Sequence, residues 1–389
     1  MKTNQILCAV TFGAVALLAA SCGKDSPETP GGGGQPDVPK DTVIYAYGQE
    51  IIPGKDYYKA VVWKDGKKFV LSDGSCDSFV NAGCTEDGEV YFVGCEASGD
   101  LVDDGYYDPY NVNRAVVWKA SVGELANASK TYISDGKYAT SPIAVAVSGG
   151  KVYAAGFDSP DYDRRAIVWN DGVPQYLTDG STDALAYCIC IDGDDVYVGG
   201  YVQPASNKNG GVATIWKNGV AQNLTEGSTV AKVNAVCVDG GKVYAAGVEK
   251  VSGGRWKGVL WIDGKAQDFT AEDGTEVSGL YVKDGKYVIS GNKSADGTAS
   301  TISVYVWTNE GETRLTTDGL IQGSGLAVVG DDVYVTGNKF VGYDDNYNDL
   351  YNGCLWKNGE QQSLEVSADN YSLWGVTYAL VDKPEQSNQ

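Results

Sequence analysis

A tryptophan that returns at a near-constant interval constrains this chain more than any other feature. It stands at Trp63, Trp118, Trp169, Trp216, Trp261, Trp307 and Trp356, at intervals of 55, 51, 47, 45, 46 and 49 residues. Between the tryptophans lies a second marker, an apolar run that ends in glycine. Its copies are VIYAYG (43–48), VYFVG (90–94), VYAAG (152–156), VYVGG (196–200), VYAAG (243–247), YVISG (287–291) and VYVTG (333–337). Two markers, each present seven times and kept in step, define a repeat whose units stack on their neighbours.

Alternation and turn chemistry predict four short strands, A to D, in each unit. Strand A is apolar, as in IAVAV (143–147) and VNAVCV (233–238); strand B ends in the recurrent glycine; strand C carries the tryptophan. A two-residue turn leads to D: Asp65-Gly66, Asp171-Gly172, Asn218-Gly219, Asp263-Gly264 or Asn358-Gly359. These dipeptides accept the positive φ of a type I′ hairpin. The unit closes on a Leu-(Ser/Thr)-Asp-Gly stretch, in which Asp73, Asp135, Asp179 and Asp318, with Glu226 in the fifth unit, shape the D-to-A turn. No helical period of useful length appears. Four antiparallel strands repeated seven times predict an all-β fold, a seven-bladed β-propeller; a β-solenoid is the alternative, with shorter repeats.

The ends sharpen this expectation. The repeat region opens on a B strand (42–48) with no A before it, and the C-terminus supplies an A-like strand, SLWGVTYALVD (372–382). Joining that strand to the first blade would close the ring and remove exposed sheet edges. The glycine-ended strand, the later Trp and the tight inter-blade turn resemble the kelch-type propeller over residues 42–382. Paired glycines occur only at Gly199-Gly200, and the Trp-Asp and Gly-His marks of WD repeats and the sialidase Ser-x-Asp box are absent. The resemblance implies kelch-like blades of a distinct repeat type.

The N-terminus reads as a processing signal. Lys2 precedes an apolar run from Ile6 to Ala20, too short to span a bilayer. The run ends in Leu18-Ala19-Ala20-Ser21-Cys22, which resembles a bacterial lipobox and implies acylation of Cys22. An ordinary secretory peptide is the alternative. The domains expected are a signal peptide (1–21), a lipidated Cys22 with a Gly/Pro tether (22–41), the propeller (42–382) and a disordered tail (383–389). Asp25 and Glu28 just after Cys22 loosely resemble the export signal of Bacteroidota surface lipoproteins. The expected location is the outer membrane of a Gram-negative envelope, lipid-anchored and at the cell surface. A net charge of −21 repels nucleic acid and anionic lipid. The expected state is a monomer or a subunit of an envelope complex.

The chain has no histidine. That closes Ser-His and Cys-His nucleophile pairs and most zinc geometries, and no catalytic pair of carboxylates is marked out. The expectation is a chain that is not an enzyme and takes no cofactor or metal. Beyond Cys8 and Cys22 stand Cys76, Cys84, Cys95, Cys188, Cys190, Cys237 and Cys354, an odd number without metal spacing, read as mostly free, buried thiols.

The seven tryptophans, doing one job in every blade, are expected to be inter-blade core. Function is expected where the repeat breaks its pattern, in the B–C connections. These offer Tyr106, Tyr107 and Tyr110 in the second unit, Tyr162 beside Arg164 and Arg165 in the third, Arg255 and Trp256 in the fifth, and Tyr343, Tyr347 and Tyr351 in the seventh. Stiff amphipathic rings among Asp and Asn suit a sugar or a protein partner. Asp103, Asp104 and Asp108, or Asp344, Asp345 and Asp349, could also offer calcium ligands, without EF-hand spacing. The functional expectation is a binding module whose B–C face captures a glycan or a protein. The alternatives are a structural subunit of an outer-membrane complex and a histidine-independent polysaccharide lyase or hydrolase.

Overall fold

The computed structural model describes residues 40–55, 57–102, 110–160, 163–251, 254–267, 269, 274–294, 302–316, 321–344, 349–367 and 370–382. The signal peptide, Cys22, most of the tether and the tail lie outside them.

The chain opens with β1 (Lys40–Ile51), β2 (Tyr58–Lys64) and β3 (Lys67–Val70). A four-stranded antiparallel sheet follows: β4 (Ser78–Glu86), β5 (Glu89–Val102), β6 (Tyr110–Ser121) and β7 (Ser129–Tyr132). The next is β8 (Ala139–Ser148), β9 (Lys151–Ser159), β10 (Arg165–Asn170) and β11 (Val173–Tyr176). Then come β12 (Ala184–Asp192), β13 (Asp195–Val202), β14 (Val212–Lys217) and β15 (Val220–Asn223). The fourth such sheet is β16 (Ala231–Asp239), β17 (Lys242–Lys250), β18 (Trp256–Ile262) and β19 (Lys265–Gln267). The fifth is β20 (Thr275–Lys283), β21 (Lys286–Ser294), β22 (Ile302–Thr308) and β23 (Gly311–Arg314). Last are β24 (Ile321–Val329), β25 (Asp332–Tyr343), β26 (Asp349–Lys357), β27 (Glu360–Gln362) and β28 (Tyr371–Asp382).

The final strand returns to the start: β28 runs antiparallel to β1 from Lys40↔Asp382 to Glu50↔Tyr371. A single parallel bridge, Asn352↔Tyr371, ties β28 to β26, so β24–β28 and β1–β3 form one eight-stranded sheet. This is an all-β, β-propeller architecture. The strands β4, β8, β12, β16, β20 and β24 pack each against the next, and β28 lies against both β24 and β4. Flanked on both faces, such strands are buried almost without alternation, as in Ala184–Cys190. The fourth strands (β7, β11, β15, β19 and β23) are exposed at every residue.

The recurrent glycine has a steric cause. Every inner strand carries a bulge that leaves one residue unpaired: Asn81, Ile143, Tyr187, Asn234, Ser278, Ser324 and Trp374. The bulge turns a carbonyl toward the next strand, opposite the glycine. A Cβ built at Gly200 would lie 1.9 Å from the Leu185 carbonyl oxygen, and one at Gly247 2.0 Å from that of Lys232. Only a residue without a Cβ fits there.

The turn residues work twice. Asn218 (φ 51°) and Gly219 (φ 82°) make the left-handed pair that the hairpin demands. The Asn218 Oδ1 also accepts the Val196 N–H at 2.8 Å, as Asp171 does from Val152 and Asp263 from Val243. In the Leu-(Ser/Thr)-Asp-Gly stretch, Asp73, Asp135 and Asp179 accept the amide two residues on, as expected. The hydroxyl before them also has a part: Ser72, Ser134, Thr178, Thr225 and Thr316 each accept a strand-C amide.

The seven tryptophans are core, from 0 % to 4 % exposed. Trp169 packs with Ala184, Ala186 and Ile189 of the following sheet, and Trp261 with Val277 and Leu280 of its own successor. Each such burial contributes on the order of 2–3 kcal/mol. All seven described cysteines are free thiols, six of them buried.

Candidate functional site

Of the expected site residues, Cys22, Tyr106, Tyr107, Tyr162 and Tyr347 lie outside the described residues, as do Asp103, Asp104, Asp108 and Asp345. Tyr110 opens β6, with its backbone alone described. Tyr343 (62 % exposed) and the half-buried Tyr351 flank Phe340, with ring centroids 5.1 and 5.9 Å away. The Tyr351 hydroxyl meets Asp349 at 3.1 Å. This aromatic group belongs to the β25–β26 hairpin. Trp256 and Arg255 sit elsewhere, at the entry to β18. The expected residues therefore fall in at least two places. Among the described residues no group of three or more His, Cys, Asp or Glu side chains is gathered to hold a metal.

Around Trp256 the structure assembles partners that the sequence reading did not single out. Strand order places the start of each inner strand, the end of each second strand and the start of each third on one face of the propeller. Lys232 is the second residue of β16, Lys250 ends β17 and Trp256 begins β18. The Lys232 ammonium lies 5.6 Å and that of Lys250 5.8 Å from the Trp256 ring centroid. Lys232 is also 5.3 Å from the ring of Tyr187, the bulged residue of β12. On the far side, Glu276 is the second residue of β20.

Tyr187 carries the cluster into the preceding sheets. Its ring stacks on Tyr201 at 6.0 Å. The Tyr201 hydroxyl donates to Asp183, and Arg164 grips the same carboxylate through Nε (2.7 Å) and a terminal nitrogen (2.6 Å) while also donating to Tyr201 (2.9 Å). Asp183 ends a D–A connection and Arg164 ends a B–C connection, so two loops of the same face are clamped together. Arg164 stands two residues after Tyr162, but its partners Asp183 and Tyr201 lie 19 and 37 residues further along the chain.

The electrostatics are uneven. Burial drives the Lys232 ammonium below the usual lysine range, against the pull of Glu276. Crowding by neighbouring protein raises the Glu276 carboxyl, with Lys232 opposing, although the residue itself is exposed. Burial works to raise Asp183 too, but the hydrogen bonds from Arg164 and Tyr201 win and hold it low. Two buried polar atoms here lack a hydrogen-bond partner: the Tyr187 hydroxyl (residue 3 % exposed) and the Asn234 Oδ1 (2 %). Asn234 is the bulged residue of β16, two places beyond Lys232.

Other charged groups recur and are scaffold. Lysine over tyrosine between strands B and C returns as Lys119–Tyr91, Lys217–Tyr197 and Lys357–Tyr334. Buried acids of strand B are paired within their own sheets: Glu50 with Lys59 and Lys68, Glu96 with Lys130, Asp158 with Arg165. Among the described residues the Tyr187–Lys232–Trp256 arrangement has no second copy. A shallow depression of about 560 Å³ lined by Tyr176, Asp179, Ser181 and Val202 lies toward the outer strands, and its Asp179 is committed to its own turn.

No family model matches the chain, and no curated protein matches it. Solved structures similar to it include the β-propeller domain of the Trilobed protease from Pyrococcus furiosus, at 13 % identity and a TM-score of 0.41 over 75 % of this chain and 99 % of that one. A Pyrococcus horikoshii acylaminoacyl peptidase matches at 14 % identity and 0.42, over 74 % of this chain and 52 % of that one. A Trypanosoma rangeli sialidase matches at 10 % and 0.44, over 69 % and 52 %. The chain thus spans about half the length of the last two. The expectation that the chain is not an enzyme is corrected here: its structural neighbours are parts of enzymes, so freedom from catalysis does not follow from this architecture. At these scores the likeness assigns no activity to the chain either.

Proposed function

We propose that this chain is a kelch-like, outer-membrane lipoprotein of Bacteroidota type, anchored through Cys22 and tethered at the cell surface, whose B–C face captures a glycan or protein ligand. Its residues 42–382 form seven blades, the eight-stranded sheet being two blades joined at Asn352↔Tyr371, with β28 closing the ring. The unbroken packing of inner strands, with β28 between β24 and β4, supports that count.

The observation that carries the binding reading is the cluster of Tyr187, Lys232 and Trp256 on that face, unrepeated among the described residues. Scaffold interactions repeat from blade to blade; recognition surfaces are built where rigid repeats differ. Capture of glycans on an array, or of envelope proteins in pull-downs, should fall at least about tenfold in Trp256→Ala, the loss of one well-packed aromatic anchor. Unchanged capture by a variant that also carries Tyr106→Ala and Tyr347→Ala would remove this face as the binding surface. Labelled palmitate incorporation that persists in Cys22→Ser would remove the anchor.

A further inference from the structure

Among the described residues, the two lysines on Trp256 meet aromatic rings and no counter-ion. Among the described residues neither Lys232 nor Lys250 has a carboxylate within ion-pair distance, although the protein holds 51 acidic and 30 basic residues. Lys232 is half-buried between two rings, so it has lost water in exchange for cation–π contacts and has no ion-pair partner among the described residues. Glu276 is near enough to be felt, yet stays outside direct contact. The residues next to Lys232 in space or in strand order carry two buried polar atoms without a hydrogen-bond partner, the Tyr187 hydroxyl and the Asn234 Oδ1.

We propose that Lys232, with Lys250 and the Trp256 indole, forms a subsite for the carboxylate of an acidic sugar. This rests on the reading of this face as the ligand surface and names the ligand's chemistry. A hexuronate brings each thing the site lacks. Its carboxylate neutralises Lys232, its apolar ring face lies on the half-buried indole, and its hydroxyls meet Glu276. An acidic peptide would satisfy the lysines but bring no hydroxyls to the neighbouring acceptor.

The test is calorimetric titration of the full-length protein in detergent with an oligogalacturonate, its methyl ester and oligoglutamate. The ester keeps shape and hydroxyls and removes only the charge. Binding of the acid should exceed that of the ester about tenfold or more and weaken with salt. Lys232→Met should abolish that preference while leaving ester binding in place, and Lys232→Arg should retain most of it. The Met variant should melt no lower than the parent, because a desolvated, unpaired ammonium is removed; a purely structural lysine would give the opposite shift. Equal binding of acid and ester, or an unchanged preference in Lys232→Met, overturns the subsite while Trp256→Ala still reports on the face. Oligoglutamate bound as tightly as the uronate overturns the sugar class. No binding of the acid by the parent protein overturns the proposal outright, and capture of other ligands sensitive to Trp256→Ala would then show the face reading standing without it.

Discussion

Alanine at Gly200 should be among the most damaging single-methyl additions this chain can receive. The added Cβ would stand 1.9 Å from the Leu185 carbonyl oxygen and 2.9 Å from its carbon, both backbone atoms of the bulged inner strand. Ordinary contact begins beyond 3 Å, so the strands must part by about 1 Å, and no rotamer change can absorb it. Gly337 supplies the internal contrast, since its Cβ would meet the Gln322 oxygen at 2.7 Å and needs a shift of only a few tenths of an ångström. A third glycine, Gly88, has open space around its Cβ but a φ of 77°. We expect Gly200→Ala to lose about 3 kcal/mol or more, at the upper end for overpacking, and Gly337→Ala roughly 1 kcal/mol. Gly88→Ala should lose about 1 kcal/mol from backbone strain alone. Urea denaturation followed by tryptophan fluorescence reads all three, because every repeat tryptophan is core. A Gly200→Ala midpoint within error of the parent, or above that of Gly337→Ala, would refute the steric account of the repeat's glycine.

Other consequences are quicker to state. Removing residues 372–389 strips the pairs from Lys40↔Asp382 to Gln49↔Ser372 and the fully buried Leu373 and Val376, worth about 3–6 kcal/mol in apolar burial against a domain total of about 5–15. The truncated chain should show no cooperative melt, and one at the parental temperature would contradict the role given to β28. Glu50→Gln leaves Lys59 and Lys68 without their buried carboxylate and should cost about 3–5 kcal/mol by thermal or chemical denaturation. Asp183 is held low in the folded state, so its stabilisation is complete above the unfolded value of about 3.9 and drains as pH falls through the lower folded one. Asp183→Asn should therefore be less stable than the parent at neutral pH, with the two melting curves converging below about pH 3.9.

What the sequence made legible was whatever repeats. Trp63 to Trp356, the glycine-ended strands and the Asn-Gly or Asp-Gly turns announce themselves because each solves the same packing problem in every unit. The reason for the glycine was not legible, since the opposing carbonyl belongs to a bulge that a strand pattern does not reveal. Trp256 was readable as an aromatic outside the repeat position. Its partners were not, because Lys232, Tyr187 and Asn234 sit in or against strands that read as apolar core, and their meeting depends on neighbouring blades. Aligning the inner strands on their bulges would have shown the signal. Asn234, Ser278 and Ser324 put polar groups in runs of buried apolar residues, and two places earlier stand Lys232, Glu276 and Gln322.

The same bulge links scaffold to site. In β16 the carbonyl that forbids a side chain at Gly247 belongs to Lys232 itself. In β12 the residue left unpaired is Tyr187, whose ring meets the Lys232 ammonium. A device repeated for packing thus holds the backbone of one proposed ligand contact and pushes the neighbouring ring toward it. Forcing that backbone aside with Gly247→Ala should disturb Lys232 far more than the equivalent change at Gly94, whose opposing carbonyl belongs to Phe79. The two variants make comparable clashes, 2.0 and 1.9 Å, and should lose comparable stability. Only Gly247→Ala should also lose the preference for a carboxylated ligand, measured at a temperature where both variants remain folded. Equal binding by the two would separate the bulge from the site and leave it a packing device alone.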